Sequence, residues 1–145
     1  MDSLRDARGV AASDFDGDGD LDFIVNNYDG EAQYFVNRAA RGHWLQVRLR
    51  GRKSNRDGIG AILRLEADGR KQLRVITAGD GYASQYSRVA HFGLGSAPGA
   101  ERLEITWPSG VRQTLRDVAA DRLIEIGEEG TGEVAQLHDH HDTRP

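Results

Sequence analysis

The sequence predicts an all-β fold: an antiparallel β-sandwich or barrel-like domain, preceded by a β-hairpin and followed by a disordered tail. Three observations carry this reading. Apolar residues recur with period two in several short runs, the mark of strands with one buried and one wet face. Turn signals such as Asp68-Gly69 and Pro108-Ser109-Gly110 separate those runs. No apolar stripe of helical period extends over three turns anywhere in the 145 residues.

The elements follow in chain order. Residues 9–12 and 22–26 read as a strand pair around an aspartate-rich loop, with a further strand at 32–37. Leu45, Val47 and Leu49 alternate with Gln46, Arg48 and Arg50. Leu63, Leu65 and Ala67 alternate with Arg64, Glu66 and Asp68, and after the Asp68-Gly69 turn Leu73, Val75 and Thr77 alternate with Arg74 and Ile76. Leu103, Ile105 and Trp107 alternate with Arg102, Glu104 and Thr106. The first-named set in each run is the expected buried face. Strands at 111–116 and 122–127 complete a set of about six or seven after the boundary, and 119–123 has room for one helical turn at most. The boundary itself falls near Asn37–Gly42. The organisation expected is a loop-bearing unit at 1–40, a β domain at 41–127 and an acidic, polar, patternless tail at 128–145.

Composition narrows the classes. No run approaches the roughly 20 apolar residues of a membrane-spanning helix, and Met1–Asp6 carries no apolar signal segment. With no Cys, disulfide scaffolds, thiolate zinc sites and cysteine nucleophiles are excluded. The net charge of -4 divides unevenly. The tail from Glu128 nets -4, and residues 1–127 balance at 18 charges of each sign. Five of those 18 acids lie in the aspartate loop, so the rest of the body is basic.

Asp14-Phe15-Asp16-Gly17-Asp18-Gly19-Asp20-Leu21-Asp22 is the strongest chemical signal. Carboxylates at loop positions 1, 3 and 5 converge when the chain turns sharply, and glycine at position 6 permits the turn. Asp20 at position 7 is expected to offer its carbonyl, and Asp22 at position 9 a further carboxylate. Oxygen-only ligands in a flexible loop suit Ca²⁺ better than Mg²⁺. Five close carboxylates repel one another unless a cation neutralises them. The loop departs from the EF-hand, because position 12 is Val25 where a bidentate Glu belongs, and Phe23-Ile24-Val25 reads as strand. The metal ligands expected are Asp14, Asp16, Asp18, Asp20 and Asp22, with an affinity of roughly 10⁻⁴–10⁻³ M.

Other clusters read more weakly. Asp80, Ser84, Ser87 and His91 supply the residue types of a hydrolase triad, but no Gly-x-Ser-x-Gly elbow frames either serine. A Gly-rich structural loop, with His91 entering a strand, is the simpler reading. Arg48, Arg50, Arg52, Lys53 and Arg56 form a basic cluster suited to a sulfated or phosphorylated polyanion, or else a solvated strand face. Nucleic acid is not expected, since neither a groove-entering helix nor an aromatic platform accompanies it. Tyr82, Tyr86, Trp44 and Trp107 offer rings for sugar stacking; Trp107 is in phase with the core and Trp44 out of phase. His138-Asp139-His140-His141-Asp142 is a chelating run in the tail, where transition-metal binding is more often adventitious.

Two stretches resemble known families. The strand–DxDGDGxxD–strand pattern of residues 9–36, through Val10, the aspartates and Leu21 to Asn27, is similar to one FG-GAP/VCBS repeat. Residues 43–127 resemble the ASPIC/UnbV domain. The matching segments are Ser54–Ala61, Gly79–Gln85, His91–Gly95, Trp107–Gly110 and Ala120–Arg122. The first resemblance implies a blade of a calcium-stabilised β-propeller, and the second an exported protein with such repeats upstream. A propeller needs about four blades, so the chain is expected to be a C-terminal fragment of a larger protein. It is expected to be a non-catalytic calcium-binding interaction or adhesion module, extracellular or periplasmic, with a protein or glycan partner. The alternatives are a carbohydrate- or polyanion-binding module, or an enzyme or accessory protein of secondary metabolism.

Overall fold

A computed structural model of the chain describes residues 6–38, 42–79 and 87–128. Ten strands and no helix occur among the described residues. The chain divides into two compact units, Met1–Arg41 with Ala78–Ser87 and Gly42–Thr77 with Arg88–Pro145.

The first unit is an antiparallel meander of β1 (Ala7–Ser13), β2 (Asp22–Asn27) and β3 (Gln33–Phe35) in that order. The strand expected at 32–37 is β3, which joins the expected hairpin in register, with Phe23 opposite Phe35 and Ile24 opposite Tyr34. Ser13 pairs with Asp22, so the ladder closes at the base of the aspartate loop. Directly opposite residues share a face, which places Val10, Ala12, Phe23, Val25 and Phe35 on one side of the sheet. Val10, Phe23 and Phe35 are exposed there, and no described residue of this unit belongs to the buried apolar core.

The second unit packs two sheets on one core. One is β10 (Arg122–Gly127), β4 (His43–Arg50) and β7 (Ala90–Gly95). The other is β6 (Arg70–Val75), β5 (Ile62–Ala67), β8 (Gly99–Thr106) and β9 (Arg112–Ala119). Leu45, Val47 and Leu49 from the first sheet are buried with Leu63, Leu65, Leu103 and Ile105 from the second, as alternation predicts. Trp107 closes the core just beyond β8, and its indole N–H donates to Gln113 Oε1.

Two features differ from the expected antiparallel pattern. β10 runs parallel to β4, with Ile124 beside Val47. The chain leaves β9 at the edge of one sheet, turns at Asp121 with φ 59, and enters the other sheet alongside β4. The turn is held by Asp121 N donating to Trp44 O at 2.7 Å.

The second difference corrects the phase of residues 73–77. Leu73 and Val75 are exposed, while Ile76 is buried. Asp68-Gly69 forms the two-residue turn with φ 48 and 68, which sets Ala67 opposite Arg70 and Leu73 opposite Arg64. A one-residue change of phase moves every side chain to the other face. The inward positions of β6 go to Gln72 and Arg74, which reach β7. Gln72 Nε2 donates to Gly93 O at 2.7 Å, and Arg74 Nε to His91 O at 3.0 Å. The Arg74 guanidinium also lies 5.2 Å from the Phe92 ring centroid. On the opposite side, Gln113 Nε2 donates to Gly127 O at 3.0 Å. Both open sides of the sandwich are therefore closed by side chains that satisfy edge carbonyls.

Candidate metal centre

The aspartate loop spans the eight residues between β1 and β2. Gly17 and Gly19 take φ 80 and 93, the left-handed region where a side chain costs energy. Those turns point backbone amides at the carboxylates. Gly17 N donates to Asp14 Oδ1 at 2.7 Å and Gly19 N to Asp14 Oδ2 at 3.1 Å. Asp18 N donates to Asp16 Oδ1 and Asp20 N to Asp18 Oδ1. Asp14, Asp16 and Asp18 each bring a carboxylate oxygen within 4.8 Å of the others. Oxygens on opposite sides of a Ca²⁺ ion lie about 4.6–5.2 Å apart, twice the ~2.3–2.6 Å bond length. The three carboxylates therefore fit a calcium-sized sphere. Asp20 Oδ2 is buried with no hydrogen-bond partner, a polar atom with capacity to spare. Asp14, Asp16 and Asp18 would hold the ion, which would supply positive charge to a loop crowded with negative charge.

Asp22 sits differently. Its side chain is fully buried, and Oδ1 accepts from Asn37 N at 2.8 Å. Oδ2 accepts from Tyr34 Oη at 2.9 Å and Phe15 N at 3.2 Å. These bonds, that from Asn37 foremost, hold its pKa below the ordinary carboxylate value. Burial and the bond to Asp22 push the Tyr34 hydroxyl up to about 12. Phe15 packs edge-on against Tyr34 at 5.9 Å. Asp22 thus ties the loop to β3 and to the chain beyond it, a role that loop spacing alone does not reveal.

The sequence also missed a second polar centre. Glu128, read as the first residue of the tail, is buried directly after β10. Its Oε2 accepts from the amides of Arg52, Lys53 and Ser54 at 2.8, 2.7 and 2.7 Å. Its Oε1 accepts from Ser54 Oγ at 2.9 Å and from Ser109 Oγ. Burial acts to raise its pKa, but the bonds from Ser109, Ser54 and Arg52 outweigh this and hold it at about 2. Three consecutive amides form an anion nest. The only sequence signal was a Glu directly after the last alternating run, the first of the pair Glu128-Glu129.

The remaining candidates fall as follows. Arg48 and Arg50 point to one acid, Glu125, at 3.9 and 3.1 Å. Arg52, Lys53 and Arg56 are exposed in the following loop. Trp44 is half-buried and stacks on His91, with centroids 6.4 Å apart and planes 12° apart. Trp107 is in the core. His91 lies in β7, as expected, and Ser87 precedes it. Asp80, Tyr82, Ser84, Tyr86 and the His138–Asp142 run lie outside the described residues.

Fold and site together define an all-β protein made of a two-sheet domain and a strand meander that carries a carboxylate loop. Comparison with known proteins then places it: residues 51–133 match the ASPIC and UnbV family, and the chain belongs to that family. It is 35% identical over 123 residues to cartilage acidic protein 1 of Mus musculus, covering 81% of this chain and 19% of that protein. The human protein of the same name gives 35% over 123 residues, covering 81% and 18%. The Xenopus tropicalis protein of that name gives 38% over 131 residues, covering 86% and 20%. The chain spans about a fifth of the length of the curated relatives it matches. No described helix is long and apolar enough to cross a membrane.

Proposed function

We propose that the chain is a non-catalytic, calcium-binding interaction module of a larger exported protein. The observation that carries this is the convergence of Asp14, Asp16 and Asp18 within 4.8 Å in a loop of oxygen ligands. The orphaned Asp20 Oδ2 supports it. Calcium acts here as a structural cross-link that holds β1 and β2 together at the loop, so binding energy appears as folding stability. The first unit reads as one FG-GAP/VCBS-type blade. Its exposed Val10, Phe23 and Phe35 suit packing against a neighbouring sheet of the same kind. Relatives named for cartilage favour an extracellular or periplasmic setting.

The test is thermal unfolding of the chain after chelation and again with 10 mM calcium, taken as about 10–100 times the dissociation constant. The expected gain is about 1.4–2.7 kcal/mol in the first unit. The second unit holds both tryptophans, Trp44 and Trp107, so their fluorescence reports its unfolding separately. A melting temperature indifferent to calcium contradicts the reading.

A further inference from the structure

The outward face of the β6–β5–β8–β9 sheet carries an arrangement of charge that the fold itself does not explain. Cross-strand pairing aligns Lys71, Glu66, Arg102 and Arg116 in one row across all four strands. Arg64 stands opposite Glu104 in the next row, and Arg112 opposite Thr106 in the third. Five cations thus share the face with two acids. Lys71 pairs with Glu66 at 2.9 Å, and Arg102 with Glu104. Arg64, Arg112 and Arg116 are exposed and make no ion pair among the described residues. Arg102 and Arg116 are direct neighbours, and like charges directly opposite each other destabilise a sheet. Arg102 Nε is moreover buried without a hydrogen-bond partner. An unsatisfied donor beside an unpaired guanidinium is relieved by an acceptor that bears negative charge.

The shape of the face decides what kind of anion. Neighbouring strands lie ~4.8 Å apart, so the cations from β6 to β9 spread over about 14 Å. Lys71, Arg64 and Arg102 line an open groove of about 450 Å³, and Arg112 and Arg116 stand on β9 outside its lining, so the cations are strung out rather than converging on one point. That spacing suits an extended chain of anionic groups better than a single ion. Exposed Leu73 and Val75 beside the groove offer apolar contact, while the face holds no aromatic ring on which a nucleobase would stack. By contrast, Arg48 and Arg50 on the other sheet share the acid Glu125.

We infer that the outer face of the four-stranded sheet binds a linear sulfated polysaccharide, with Arg64, Arg112 and Arg116 as its principal contacts and the Arg102 Nε–H as a further donor. This surface belongs to the second unit and the aspartate loop to the first, and none of its residues is among the loop's carboxylates, so its binding does not require calcium.

The test uses the full chain on immobilised heparin, with elution by a salt gradient in the presence of chelator. The wild type is expected to be retained. R64Q/R112Q/R116Q is expected to elute earlier, with the slope of log affinity against log salt lowered by about two at ~0.7 per lost contact. R48Q/R50Q is expected to elute with the wild type. Unchanged tryptophan-monitored unfolding of both variants assigns the differences to binding. Elution of the triple variant with the wild type overturns the inference, as does an equal loss in R48Q/R50Q. Displacement by single-stranded DNA at the same charge concentration as free heparin overturns the assignment to a polysaccharide.

Discussion

Replacing Glu128 with Gln perturbs the junction where β10, the 51–54 loop and the 108–110 turn meet. Glu128 accepts five hydrogen bonds, three from consecutive amides and two from serine hydroxyls. Glutamine keeps one acceptor oxygen but sets an NH₂ group against donors. Hydrogen bonds to a charged group are worth about 1.5–3 kcal/mol, and a buried group left unsatisfied costs about 1–3 kcal/mol. Relaxation of the exposed loop offsets part of this, so a loss of about 2–3 kcal/mol is expected. At about 4–8 °C per kcal/mol for a domain of this size, the melting temperature falls by about 10–20 °C. Fluorescence of Trp44 and Trp107 reads it in the right unit. The pH dependence supplies a second readout. The folded pKa of about 2 lies below the ordinary 4.5. The stabilisation is therefore complete above pH 4.5 and is lost as pH falls from 4.5 through about 2. The variant is expected to show a shallower decline over that window. A melting temperature within 2 °C of wild type, or an equal acid slope, would refute the nest as a stabilising clamp.

Two further predictions concern other points of the structure. Gly58 has φ 66, and a Cβ there would lie 2.8 Å from Leu49 Cβ, so Gly58→Ala combines backbone strain with overpacking. A loss of about 2–4 kcal/mol is expected in urea unfolding of the second unit, and a loss below 1 kcal/mol contradicts the packing described. Asp22→Asn retains the volume but turns an acceptor into a donor facing Tyr34 Oη, Phe15 N or Asn37 N. Amide hydrogen exchange of residues 15–25 and 34–37 is expected to accelerate while that of β4 to β10 does not; unchanged protection at Phe15 and Asn37 contradicts the tie.

The alternating runs made β4, β5 and β8 legible because each lies centrally in a two-sided sandwich, where period two is enforced by burial. β6 was read in the wrong phase for a related reason. At a sheet edge its inward side meets the carbonyls of β7, so Gln72 and Arg74 take the inner positions and Leu73 is left outside. The parallel partner of β10 was not readable, because parallel and antiparallel pairing leave the same alternation in a strand. Of the aspartate loop, the convergence of positions 1, 3 and 5 follows from spacing and glycine. The burial of Asp22 does not, since its partners Tyr34 and Asn37 lie 12 and 15 residues on. Glu128 was hidden for the same reason: its amide donors lie 74 to 76 residues away and Ser109 lies 19.

The central claim is that the aspartate loop holds calcium. Calcium titration of the chelator-stripped chain, followed by backbone amide NMR shifts, tests it most directly. Saturable shifts are predicted at residues 14–22, with a midpoint of roughly 10⁻⁴–10⁻³ M. They should extend through Asp22 to Tyr34 and Asn37, and vanish in Asp16→Asn. Absence of saturable shifts in the wild-type loop, or the same shifts in Asp16→Asn, would contradict the account.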